Sequence, residues 1–277
     1  MPSAFEVASA LVKRPAGADG AAPARGEVSF TAQIPLGWDQ GRGAFGGLVL
    51  GLLARAVETA NADPGRPLRA LLGDITGPVL PGPVQLATRL LRRGNSQTNL
   101  AVELTQAGEV LAIGSAVLGA PRRSAMPAFP LEAPPPPPDF RTVAPVRIGP
   151  PHGPAFGLHL EFRPIDGTPY TQAATPDVRG FVRLEGQDGP LDAPALIALL
   201  DAHWPGVLAM SNGPRPTATV SFAGQIFCEP AALDWRVPLY YRSRIAAQQG
   251  GYFLELRELW QAGVPVAMNQ QTMALIK

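Results

Sequence analysis

Cysteine is nearly absent. A single Cys228 in a chain of 277 residues excludes an intramolecular disulfide and any cysteine metal cluster. Charge is also scarce: 16% of residues are charged, and 23 basic residues nearly cancel 22 acidic ones. That leaves no electrostatic footprint for nucleic acid or an anionic membrane. The histidines, His152 in a proline-rich connector, His159 on an expected strand and His203 beside Trp204, have no zinc-ligand spacing. No Gly-x-Ser-x-Gly elbow surrounds Ser115, which argues against a serine hydrolase. No phosphate-cradling loop or dinucleotide fingerprint is present, and neither a cofactor nor a metal is expected. Long apolar runs are missing too. The most apolar segment, Gly46 to Val57, is interrupted by Arg55 and is shorter than the ~20 residues a bilayer requires. The N-terminal stretch lacks a basic start followed by an apolar core, so a cytoplasmic location is expected.

What is present is apolar and proline-rich. Hydrophobic residues make up 46% of the chain, enough for a substantial core. Between Ala120 and Pro154 prolines accumulate, with five in a row from Pro134 to Pro138. Proline lacks the donor that helices and sheets need and favours a stiff polyproline II spacer. A ligand for a partner's groove is the sharper and rarer alternative. The expected division is residues 1–120, a connector at 121–154, and residues 155–277.

The two sides resemble each other. Glu103 to Gly108 is ELTQAG and Glu258 to Gly263 is ELWQAG, each between two strand-like runs, with glycine supplying the unusual turn conformation. Each hairpin is the last of its half, which suggests internal duplication. Upstream, a helix over about 46–61 precedes four strand candidates. A second helix, Ala193 to Trp204 behind an Asp192 cap, precedes four more. The pattern predicts one helix and a four-stranded antiparallel meander, twice. Leu48 to Val57 has almost no polar face, as expected where a sheet curls around a helix. The expected class is α+β, a tandem (double) hotdog.

With these residues in place, the chain resembles the acyl-CoA thioesterase II family of double-hotdog, TesB-like thioesterases. GRGAFGGLVLGLLARAVE is similar to the family's stretch opening the first central helix. Asp201 in ALLDAHW, Thr219 in TATVSF and Gln271 in AMNQQTMALIK match its catalytic Asp, Thr and Gln in order and spacing. The resemblance spans nearly the whole chain apart from the connector. It implies hydrolysis of an acyl-CoA substrate, a role in fatty acid metabolism, and a homo-oligomer, with no nucleic acid or membrane partner. It departs where the family has an acidic residue and a histidine after the threonine, since Ser221 and Phe222 stand here. Thr217 and Gln270 remain alternatives to Thr219 and Gln271, because one residue of slip moves a strand side chain to the other face.

The residues themselves allow the same chemistry. A carboxylate late in an apolar helix, as Asp201 is placed, meets unfavourable dipole and desolvation effects. It suits a general base of raised pKa, although a solvated helix end is the simpler account. Thr219 and Gln271 could hold a water without competing for its proton, or could be an ordinary strand threonine and a solvent-facing glutamine. Phe45, Gly46 and Gly47 are candidate substrate contacts, because free amides at a glycine helix start can face a thioester oxygen. Tight packing of the glycines against a strand is the alternative. A non-catalytic acyl-CoA or apolar-ligand binding protein is the alternative function.

Overall fold

The computed structural model describes residues 2–15, 26–122 and 134–276. The first half contains α1 (Ala4–Ala8), β1 (Val12–Lys13), β2 (Glu27–Ile34), a small ribbon of β3 (Asp39–Gln40) and β4 (Gly43–Ala44), then α2 (Gly46–Asn61). Four strands follow: β5 (Leu68–Ile75), β6 (Gly82–Arg93), β7 (Gln97–Gln106) and β8 (Glu109–Gly119). The second half has β9 (Leu160–Asp166), β10 (Val178–Leu184), α3 (Ala193–Leu200), α4 (Val207–Met210), β11 (Thr217–Ile226), β12 (Leu239–Gln249), β13 (Tyr252–Gln261) and β14 (Val264–Leu275). No helix among the described residues is long and apolar enough to cross a membrane.

Apart from the β3–β4 ribbon, the strands form one antiparallel sheet of 12, ordered β1-β2-β6-β7-β8-β5-β11-β14-β13-β12-β10-β9. The order corrects the expected meanders. β5 lies beside β8 and β11 beside β14, so each consecutive meander has three strands. β2 and β10, which the pattern did not predict, flank β6 and β12. Consecutive strands pair only about two-thirds of the time, and the six residues after β5, rich in Gly and Pro, carry the chain past β8 and β7. The halves join where β5 pairs with β11, with Ser221 opposite Asp74 and Gln225 opposite Ala70.

The two QAG turns have the same geometry. Ala107 and Gly108 have φ of 52° and 86°, and Ala262 and Gly263 have 51° and 76°. Two left-handed residues in succession match the right-handed strand twist of a tight hairpin. Each preceding glutamine clamps the loop that leads into its meander. The Gln106 amide donates to Leu80 O at 2.8 Å and accepts from Leu80 N at 2.8 Å, and Gln261 does the same to Asp234 O and N at 3.0 and 2.9 Å.

Helix α2 is buried on nearly all sides, with Leu48, Leu50, Leu52 and Leu53 at 0% exposure. Burial of each such side chain contributes about 1.5–3 kcal/mol. α3 runs antiparallel against it. A Cβ at Gly47 would lie 2.7 Å from Ala198 O, and one at Gly51 would lie 3.2 Å from Pro194 O. Glycines one turn apart therefore let the two backbones touch. The packing partner is a helix rather than a strand.

α3 starts where Asp192 accepts the Ala195 N–H at 2.9 Å and ends at Leu200, four residues before the expected Trp204. Pro205 removes a helical donor and disfavours helix at the residue before it. Asp201 is thus the cap and not an interior helix residue. His159 ends a short 3-10 turn, Ala155–His159, instead of lying on a strand. Its Nε2 is 3.0 Å from Gly37 O and its ring stacks on Trp38. Residues 123–133 of the connector lie outside the described residues. Pro134 to Pro138 form no helix or strand, and Val146 bridges to Phe162.

Candidate active site

Asp201, Thr219 and Gln271 converge from α3, β11 and β14. The Gln271 Nε2 donates to Asp201 Oδ1 at 2.7 Å and to Thr219 Oγ1 at 2.5 Å. Its Oε1 accepts from Asn269 Nδ2 at 2.9 Å, which fixes the amide's orientation. Register sets the alternatives apart in space. Gln271 is opposite Phe222 and Thr219 is opposite Met273, all on the inner face, whereas Gln270 is exposed on the outer one. The pairing skips a residue between Thr219 and Ser221. This bulge lets Thr219 share the inner face with Phe222 and turns Ser221 outward. Thr217 lies farther along the strand and lines a neighbouring cavity of about 610 Å³.

Sequence reasoning missed Arg257. Its guanidinium is 1% exposed and donates through Nη1 to Asp201 Oδ1 and Leu200 O, both at 3.3 Å. Through Nη2 and Nε it reaches Glu255 Oε2 at 2.9 and 3.2 Å, and the other Glu255 oxygen accepts Gly206 N–H at 3.0 Å. The available signal was an acid and a base two apart on one face of the apolar strand YFLELRELW, where period 2 sends both inward. Burying charge without a partner is costly, so such a pair argues for a defined arrangement.

Burial pushes the Asp201 carboxyl above the ordinary aspartate range. Arg257, Gln271 and the Gly47 backbone N–H oppose that shift, and Glu255 reinforces it. Burial also opposes the charge of Arg257, but Glu255, Tyr241 and Asp201 more than offset this and keep it protonated. A carboxylate held by donors yet raised in pKa is a stronger base than an ordinary aspartate.

The start of α2 faces the same carboxylate. A Cβ at Gly46 would sit 2.6 Å from Asp201 Oδ2, and the Gly47 N–H donates to Asp201. Phe45 is buried and its ring stacks on Phe156 with centroids 4.0 Å apart. The structure thus brings Gly46 and Gly47 to Asp201, while Phe45 packs in the wall beside them. His203 stacks on Tyr241 at 3.7 Å, and burial, then Arg257, push its pKa well below the imidazole range. No group of three or more His, Cys, Asp or Glu side chains among the described residues could hold a metal.

Family models for the N-terminal and C-terminal domains of acyl-CoA thioesterase match residues 34–119 and 130–275. A hotdog-fold protein of unknown function from Alicyclobacillus acidocaldarius superposes with a TM-score of 0.83 at 23% identity, covering 100% of this chain and 99% of that one. A putative thioesterase II from Thermobifida fusca gives 0.78 at 22%, with the same coverage. A tesB protein from Mycobacterium avium subs paratuberculosis gives 0.73 at 16%, covering 99% and 98%. No curated protein matches the chain. At these identities the structural likenesses establish the hotdog fold.

Proposed function

The chain belongs to the acyl-CoA thioesterase family, and from that premise we propose that it is a cytoplasmic tandem hotdog that hydrolyses an acyl-CoA thioester to a free acid and CoA. The observation that carries this reading is the Gln271 amide, which bridges Asp201 and Thr219 in the buried region beside the start of α2.

Asp201 is the general base. Gln271 and Arg257 hold Oδ1, and Oδ2, which faces the start of α2, takes a proton of the attacking water. Thr219 Oγ1 accepts from Gln271, so its own hydroxyl hydrogen points away and donates to the same water. That water's remaining lone pair is then aimed at the thioester carbon. The new C–O bond places negative charge on the carbonyl oxygen. The Gly46 amide, at the positive end of α2, stabilises it. Collapse breaks the C–S bond, and the proton taken by Asp201 returns to the departing sulfur.

The reading extends to a homo-oligomer formed through the outer sheet faces, where Leu72, Ile113 and Val220 are exposed. Sedimentation checks that part independently.

The test is thiol release from short, medium and long acyl-CoAs, comparing wild type with Asp201→Asn. Turnover in wild type that collapses in a folded, ligand-binding variant supports the assignment. Saturable acyl-CoA binding by wild type without thiol release would replace hydrolysis with a binding role. Unchanged turnover in the variant would remove Asp201 as the base.

A further inference from the structure

The inner face of β13 carries two charges that the reaction as written does not consume. Glu255 is 0% exposed and Arg257 1%. Burying both members of an ion pair costs desolvation that their attraction does not always offset, and a well-packed apolar pair is often as stable. The same strand has a more exposed pair on its other face, where Arg242 Nε and Nη2 donate to the two oxygens of Glu258, both at 2.9 Å. The buried pair therefore calls for a reason beyond holding the sheet together.

What the pair touches supplies one. Arg257 Nη1 donates to Leu200 O, one of the carbonyls a helix leaves open at its end, and to Asp201 Oδ1, both at 3.3 Å. Glu255 Oε2 holds the guanidinium at 2.9 and 3.2 Å, and its Oε1 accepts the Gly206 N–H at 3.0 Å. A side chain at Gly206 would collide with Pro176 O, so glycine is what lets this backbone come so close. The segment from Leu200 to Gly206 is thus fastened to β13 at both ends, with Asp201 inside the span.

We propose that Glu255 and Arg257 are the positioning pair of the hydrolysis: Arg257 holds Asp201 by Oδ1 and Glu255 holds Arg257, so that Oδ2 stays turned toward the start of α2. The inference rests on the thioesterase reading and adds two residues that act through Asp201 and not on the substrate. A misplacement of about 1 Å can cost about 10²-fold in rate, which a two-point hold on the base prevents.

The pair leaves a signature in the pH dependence. Around Asp201 lie Gln271 of β14, Thr219 of β11, the backbone at the start of α2, Tyr241 of β12, His203 after α3, and the pair itself. Burial keeps Tyr241 and His203 neutral, raising the pKa of the first and lowering that of the second. The pair therefore supplies the charge near Asp201. Burial raises the Asp201 pKa, Arg257 opposes that shift more than any other group, and Glu255 reinforces it to a smaller extent. Neutralising Glu255 alone lowers the Asp201 pKa, whereas removing both charges raises it.

Because Arg257→Met alone strands a charge, the decisive variant is Glu255→Gln/Arg257→Met, which removes both charges and keeps an acceptor for Gly206. Thiol release from short, medium and long acyl-CoAs is followed against pH, in variants shown by circular dichroism and melting to be folded. The double variant should lose kcat about tenfold or more with KM little changed, and the midpoint of its rising pH limb should move up. Glu255→Gln should move that midpoint down. Arg242→Met/Glu258→Gln, which removes the pair on the outer face, should leave kcat and midpoint at wild-type values.

Wild-type kcat and midpoint in the folded double variant would overturn the proposal and leave the thioesterase reading standing. A rise in KM with kcat retained also overturns it, since the pair would then serve substrate binding. Absence of thiol release from wild type removes the thioesterase reading and the proposal with it. If the double variant does not fold, Glu255→Gln decides: a lowered midpoint supports the proposal and an unmoved one overturns it.

Discussion

The two halves share a backbone plan but not a chemistry. Their meanders break register at corresponding places: Leu90/Arg92 and Ile245/Ala247, Leu104/Thr105 and Leu259/Trp260, Leu68/Ala70 and Thr219/Ser221. Counting from these shared bulges, Leu68 stands where Thr219 does, Ala116 where Gln271 does, and Leu100 and Val102 where Glu255 and Arg257 do. Counting from the helix starts Gly46 and Ala193, Ala54 stands in place of Asp201. All five first-half residues are buried and apolar. One inner face is therefore an oily core and its counterpart a network of charges and amides. A single curved sheet supports both because the backbone pairing is indifferent to what points inward. Polar side chains there are a cost to stability, tolerated where they have work to do.

The sharpest way to break this contrast is at Asp201. Asp201→Asn should reduce kcat/KM by about 10²–10⁴-fold, the usual range for a lost general base, measured by thiol release. Ala54→Gly, at the corresponding place, should affect melting temperature and leave the chemistry in place. Next comes stability. Arg257→Met strands the Glu255 charge in the core and should cost about 3–5 kcal/mol in denaturant unfolding. Leu100→Met on the dry side should cost less than about 1.5 kcal/mol. If the two costs were equal, the polar network would contribute no more than ordinary packing.

Thr219→Val retains shape and removes the hydroxyl. About a tenfold loss of kcat with little change in KM is expected, since the group acts on water and not on the substrate. The pH dependence gives the most delicate comparison. Asp201 must be ionised to act, and burial raises its pKa. Activity should therefore rise with pH through a midpoint above the ordinary aspartate value, and Asp201→Asn should remove that limb. The sign for stability is opposite. A carboxyl whose pKa is higher folded than unfolded makes the fold less stable as pH rises through the folded value. Asp201→Asn should therefore melt about 1–3 °C higher than wild type at pH 8 and no higher at pH 3.

Much of this was legible in the sequence. The QAG repeats and the nearly all-apolar helix at Gly46 pointed to duplication around buried helices. Helix and hairpin patterns are local, so the α2 and hairpin positions followed directly. Strand order was not legible, because the neighbours of β5 are set by where a six-residue loop lands. Asp201, Thr219 and Gln271 were candidates through resemblance, and that the three side chains meet was not legible, because the facing of Thr219 depends on a bulge, which leaves no mark of its own in composition. Arg257 escaped because a lone arginine on a strand is ordinarily a surface residue. Only the neighbouring Glu255 at even spacing hinted that both turn inward.

The β5–β11 seam has a further consequence. If either half stood alone, β5 or β11 would be a long bare edge with its backbone donors and acceptors open to any passing strand, the standard template for aggregation. Each half closes the other's edge, and the open ends of the sheet fall to β1, only two residues long, and to β9, whose Glu161 is paired with both Arg163 and Arg183. The first half thus shields the second from strand-to-strand association at this edge, while the start of α2 also reaches across to Asp201.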